Sequence, residues 1–256
     1  MLASPTHIKK TTRRPRRKAR RVLFVVTLCL ALVLLALGVA LLLAASAPAD
    51  YRPHLLSHEQ QQAAEFRAEK KGEEFYNQTH RLQPFTIAFE QDMLNDLLLL
   101  DDAQEFLARH LSELTDRLRQ PQIAFLPGQV RLLARVPLDD AHPVLAITLG
   151  LSLAPDGQVA ISLDSVHAGR LPLPDVLLDE QLQRLAKVLP AASSISPENR
   201  DLLDLAADRL GELLTTGRTT LPARFRAVED KSATITGLRV LPGRLELDLD
   251  PAALSD

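Results

Sequence analysis

Residues 144–166 read VLAITLGLSLAPDGQVAISLDSV, and their alternation decides the fold. Leu145, Ile147, Leu149, Leu151 and Leu153 interleave with Val144, Ala146, Thr148, Gly150 and Ser152. A period of two belongs to a β-strand, whose successive side chains point to opposite faces. Pro155-Asp156-Gly157 supplies a tight turn, because Asp-Gly provides the positive φ a short hairpin needs. Val159, Ile161 and Leu163 then resume the pattern. The stretch predicts an antiparallel hairpin with one large-aliphatic face and one face of small residues.

Outward toward the N-terminus, QIAFLPGQVRLLARV at 122–136 turns at Pro127-Gly128 and alternates again, extending the meander over 122–167. Phe85, Ile87 and Phe89, interleaved with Thr86, Ala88 and Glu90, predict a half-buried strand. Between them, 91–119 shifts to helical spacing, with Phe106 or Leu107, Leu111, Leu114 and Leu118 on one face and a break near Asp101-Asp102. Toward the C-terminus comes SVHAGRLPLPDVLLDEQLQRL at 165–185. Gly169 permits an unusual backbone turn, Pro172 and Pro174 extend the residues before them, and Pro174 suits the first turn of a helix. Leu178, Leu182, Leu185 and Leu189 continue as a helical stripe, and a second helix over about 198–214 aligns Leu203, Ala206, Leu210 and Leu213. The last section, ATITGLRVLPGRLELDLD at 233–250, is a hairpin with Leu245, Leu247 and Leu249 opposing Glu246, Asp248 and Asp250. Its Leu-Pro-Gly repeats that of 126–128, by duplication or by convergence on a common turn pair. The sum is an α+β domain: a curved, mostly antiparallel sheet, meander plus C-terminal hairpin, packed by amphipathic helices.

The N-terminal part has another character. Lys9, Lys10, Arg13, Arg14, Arg16, Arg17, Lys18, Arg20 and Arg21 stand without an acid among them, and 22–45 carries no charge. As a helix that stretch is roughly 36 Å long, enough to span a hydrocarbon core of about 30 Å. The flanking cations predict a cytoplasmic N-terminus and an extracytoplasmic remainder. A cleaved signal peptide competes, since Ala45–Ala49 offers an A-x-A arrangement, but signal-peptide apolar regions are shorter. The expected organisation is a basic cytoplasmic tail 1–21, a transmembrane helix 22–45, a helical stalk 46–81 and an extracytoplasmic domain 82–256. Ser57 can cap the stalk helix, whose apolar residues make no continuous stripe and whose Gly72 weakens its second half; it reads as a solvated spacer.

Charge follows the same division. Of 30 Lys+Arg and 32 Asp+Glu, nine basic and no acidic residues precede residue 22, leaving 21 against 32, a net −11 (21 − 32). An acidic ectodomain is a poor match to phosphate, so no nucleic-acid partner is expected. The basic tail suits anionic lipid. The single cysteine, Cys29, lies in the apolar span, so the ectodomain has no disulfide within it.

The seven histidines form no H-E-x-x-H pattern, one cysteine in the apolar span allows no thiolate metal site, and neither a G-x-S-x-G nor a Walker pattern occurs. No catalytic residue, metal or cofactor is expected. His167 near a turn and the pairs Asp101-Asp102 and Asp139-Asp140 are the nearest approaches to hydrolase chemistry, and nothing selects among them. The aliphatic face of Leu145, Ile147, Leu149, Leu151, Val159, Ile161 and Leu163 reads as ordinary core, or as the wall of a groove for a lipid chain. Core and hydrocarbon ask for the same residues.

The order of a basic-flanked anchor, FTIAFEQDMLNDLL at 85–98 and a meander ending in SVHAGRLPLPDVLL resembles the YpmS family of single-pass bacterial membrane proteins, with AGRLPLP at 168–174 the most specific piece. The resemblance implies a bacterial surface protein without assigned enzyme activity. The strand followed by Leu94-Asn95 and an amphipathic meander looks, more remotely, like tubular lipid-binding and AsmA-like envelope domains, which carry or shield lipids. The expectation is a membrane-anchored, non-enzymatic domain binding lipid or another apolar envelope molecule. The alternatives are a scaffold contacting envelope proteins through acids such as Glu246 and Asp248, and an envelope hydrolase.

Overall fold

The computed structural model describes residues 32–101, 103–105, 119–136, 142–173, 209, 212–213, 215–228 and 230–253. The chain divides into two units, Met1–Leu42 and Leu43–Asp256. Residues 32–45 are helical (α1). Within the first unit this helix exposes Leu32, Val33, Leu34, Leu35, Leu37, Val39, Leu41 and Leu42, the last at 70 %. Among the described residues no helix is long and apolar enough to cross a membrane. Residues 22–31 of the expected span, the basic tail 1–21, and most of the helices expected within 106–118 and 175–208 lie outside the described residues.

The second unit is α+β, and every strand pairing described in it is antiparallel. One sheet runs β1(Phe85–Glu90), β10(Arg244–Ala253), β9(Lys231–Leu241), β8(Arg224–Val228). The other runs β2(Arg119–Leu126), β3(Gln129–Arg135), β4(Val144–Leu153), β5(Gln158–Ala168), β6(Leu171–Pro172), with β7(Arg218–Pro222) also on β5. The expected meander and terminal hairpin are present, but they do not form one curved sheet. The hairpin pairs with the first strand instead, placing Phe85, Ile87 and Phe89 opposite Leu249, Leu247 and Leu245. Large apolar side chains on both strands meet on one face there, and cross-strand pairs of this kind favour the pairing.

The two sheets meet around Phe125, Val130 and Val240, against which Leu94, Ile123, Leu151, Leu238 and Leu245 pack. Short α3(Gln91–Leu97) follows β1 directly and lies along β2. Asn95, four residues after Gln91, donates from Nδ2 to the Ile123 carbonyl at 3.0 Å and accepts from the Ile123 N–H at 2.7 Å. Gln91 Oε1 accepts from the Phe125 N–H at 2.8 Å. One helix face thus satisfies alternate residues of an edge strand that would otherwise offer open backbone groups.

The stalk expectation changes in two places. Residues 50–52 lie across the small-residue face of β4: Tyr51 is buried with Ala124, Leu133, Val144 and Ala146. Asp50 pairs with Arg131 at 2.9 Å, and the Arg52 backbone exchanges two hydrogen bonds with the Gln122 side chain. Short side chains leave room for the tyrosine ring, so the face that looks least hydrophobic is the better covered one. Leu145, Ile147 and Leu163 of the aliphatic face are only half-buried, around Val166. Burial pushes the Tyr51 hydroxyl up, while the nearby Arg135 opposes the shift.

Helix α2(His58–His80) starts as expected at Ser57, with a reciprocal capping box to Gln60. It is not a free spacer. Ala64 and Thr79 are fully covered, Phe75 meets Phe85 edge-on at 6.2 Å between ring centres, and Arg67 joins Asp96 of α3 at 2.6 Å. The covered face is Ala64, Ala68, Phe75 and Thr79, with Gly72 exposed among them, a stripe of mostly small residues that hydrophobicity alone passes over.

Candidate functional site

Helix α2 crosses the apolar face of the four-stranded sheet with only small residues along much of its inner side, and this leaves space beneath it. The space is a cavity of about 380 Å³ lined by Ala68, Lys71, Gly72 and Phe75 of α2, Ile87 and Phe89 of β1, Met93, Leu94 and Leu97 of α3, Phe225 of β8, and Leu247 and Leu249 of β10. That size falls within the range of roughly 300–1,000 Å³ usual for small-molecule sites. Ile87 and Leu249 form its buried floor, at 2 % and 1 % exposure. Among the described residues Lys71 is the only charged one in the lining. Its Nζ reaches Glu74 Oε2 at 2.7 Å, which holds the ammonium toward the surface.

Beside it lies a second depression whose described lining is the mostly charged residues Arg67, Lys70, Lys71, Glu74, Glu90, Asp92 and Met93. Lys71 and Met93 belong to both hollows. An apolar chamber therefore adjoins a charged one, with both signs of charge on the second.

None of the seven aliphatic positions expected to line a groove borders this cavity. Val159 is buried, Leu151 packs where the sheets meet, and Leu145, Ile147 and Leu163 gather around Val166, with Leu149 and Ile161 half-buried on the same sheet. Gly169 earns its place otherwise. Its φ is +59°, and a side chain there would run into the carbonyl oxygens of Leu43, Ala44 and Ser46. Arg170 follows it, donating its N–H to Leu43 O at 2.9 Å and Nε to Ala47 O at 3.1 Å. Pro172 lies in β6 opposite His167, and Pro174 lies outside the described residues.

His167 borders a third hollow, of about 400 Å³, with Pro48, Ala49, Asp50, Leu126, Arg131, Ala146, Gly169 and Arg170. The carboxylate among its described lining residues, Asp50, is tied to Arg131. Of the other acidic pairs weighed for hydrolase chemistry, Asp101 is exposed and Asp102, Asp139 and Asp140 lie outside the described residues. Among the described residues no group of three or more His, Cys, Asp or Glu is placed to hold a metal ion.

The acids proposed for protein contacts are engaged within the sheet. Arg239 binds Glu246 at 3.1 Å and Asp248 at 2.7 Å, Arg244 binds Glu246 at 2.7 Å, and the Thr86 hydroxyl donates to Asp248 at 2.6 Å. The Thr86 hydrogen bond, then the Arg239 hydrogen bond, hold the Asp248 carboxyl below its ordinary value against the cost of desolvation. Gly237 makes room, since a side chain there would strike the Asp248 carboxylate.

Comparison with known proteins finds no matching family model, no matching curated protein and no matching solved structure.

Proposed function

We propose that this chain is a membrane-anchored, extracytoplasmic, non-enzymatic domain that takes up a lipid or another apolar cell-envelope molecule in the cavity beneath α2. One observation carries the reading: among the described residues lining about 380 Å³, all but Lys71 are uncharged and almost all are apolar. Protein interiors are close-packed, and side chains facing unfilled space forfeit dispersion contacts. An apolar occupant restores those contacts.

The anchor belongs to the same proposal. Eight large aliphatic side chains exposed along 32–42 suit hydrocarbon surroundings, and the cations of 9–21 suit the cytoplasmic side. The YpmS-like order of anchor, strand, helix and meander accords with this placement. The scaffold reading has less to rest on, because Glu246 and Asp248 already have intramolecular partners.

The test is photolabelling of the full-length protein in lipid nanodiscs with a diazirine fatty acid, mapped by peptide mass spectrometry. Labels are expected on α2, β1, α3 and β10. Labels confined to 22–45, or to β4 and β5, would overturn the cavity as the site.

A further inference from the structure

Gly72 sits in the interior of a 23-residue helix, where glycine is the least favourable residue other than proline. Two ordinary reasons for such a glycine are missing. Its backbone has no positive φ, and a Cβ built on it would meet nothing within 4 Å. Neither conformation nor crowding asks for glycine here. Gly72 is exposed and at the same time lines the cavity between Lys71 and Phe75, which puts it at the cavity's mouth.

Resting on the cavity reading above, we infer that Gly72 is the portal of the site and that the occupant is a single-chain amphiphile. Its hydrocarbon chain lies on Ile87, Leu247 and Leu249, and its polar head lies in the adjoining depression of Arg67, Lys70, Lys71, Glu90 and Asp92. Three features fix that class. The described wall is apolar apart from Lys71 and so suits hydrocarbon, the volume suits one chain better than two, and the hollow sharing Lys71 and Met93 with the cavity offers charge of both signs. A wholly apolar molecule leaves the second hollow unused, and a two-chain lipid exceeds the first.

The experiment compares wild type, Gly72→Ala and Gly72→Leu, all full-length in nanodiscs. Each is labelled with a diazirine fatty acid and separately with a diacyl phospholipid carrying the same group. In wild type, fatty-acid labels fall on α2, β1 and β10, and the phospholipid labels them at least ten-fold less. Gly72→Leu lowers fatty-acid labelling there at least ten-fold and Gly72→Ala lowers it less. Both variants melt at or above the wild-type temperature, since each removes a helix-interior glycine, and this separates a blocked portal from a damaged fold. If wild type labels and a folded Gly72→Leu labels equally, the portal is wrong while the cavity reading stands. Equal labelling by the phospholipid overturns the single-chain class. If wild type takes up neither probe in the cavity, both this inference and the reading beneath it fall.

Discussion

The Gly128 amide donates to the Val240 carbonyl at 2.9 Å, and the Gly243 amide returns the arrangement to Phe125 at 3.2 Å. Each donor is the glycine of a Leu-Pro-Gly turn and each acceptor stands three residues before the other turn's glycine. The turns clasp one another with approximate two-fold symmetry where the sheets meet. Both glycines have left-handed backbones, φ +73° and +78°, and a Cβ on either meets nothing within 4 Å. Gly128→Ala and Gly243→Ala therefore pay only the conformational penalty, about 1–2 kcal/mol each. Equilibrium denaturation followed by circular dichroism checks this; a loss well above that range in either variant would show crowding that the geometry lacks.

Asn95 fills both backbone groups of Ile123 from a position 7 % exposed. Asn95→Leu keeps the bulk, yet orphans one N–H and one C=O beside a sheet edge. A loss of about 1–3 kcal/mol per unsatisfied group is expected. Asn95→Asp, which retains only the acceptor, should fall between. Denaturant midpoints that rank Leu at or above Asp would contradict the pairing.

These contacts also mark what the sequence makes legible. The hairpins at 122–135, 144–168 and 231–253 show in alternation and turn residues, and Ser57 announces α2, because these are local signals. The pairing of β1 with β10 brings together residues such as Thr86 and Asp248, 162 positions apart, and no local pattern specifies it. The cavity is harder still. Five described elements line it, and its roof is Ala68, Gly72 and Phe75, which count as weak amphipathicity although the smallness of Ala68 and Gly72 leaves the space. Spacing of 64, 68, 75 and 79 is the one signal that could have revealed the covered face. On β4 the same bias operates: Val144 and Ala146 read as the lesser face, yet Tyr51 covers them.

Asp248 gives the four-stranded sheet a dependence on pH. Its carboxyl is held low in the fold by the Thr86 hydrogen bond first and by Arg239 second, against an ordinary value of 3.8. A group depressed in this way stabilises the fold above its unfolded pKa and ceases to do so as pH falls through the folded one. Wild type should thus lose stability on acidification below about pH 4. Asp248→Asn should be the less stable protein at pH 7, with the difference shrinking as pH drops. Denaturant midpoints at pH 7 and pH 3 are the measurement; an undiminished gap at low pH would assign the effect to packing.

Gly169 is a sharper case than the turn glycines because it combines positive φ with the close approach of backbone from segment 43–46. Alanine there meets the carbonyl oxygens of Leu43, Ala44 and Ser46, and backbone cannot swing aside as a flexible side chain does. Segment 43–47 must then leave the β5–β6 turn, taking with it the Arg170 hydrogen bonds to Leu43 and Ala47. Gly157 is the control: its φ is +74° with open space around it, so alanine costs only the left-handed penalty of about 1–2 kcal/mol. Gly169→Ala should exceed that and, unlike Gly157→Ala, should speed amide hydrogen exchange at Arg170, whose N–H loses its acceptor. Matched exchange rates at Arg170 in the two variants would show that segment 43–47 does not depend on this glycine.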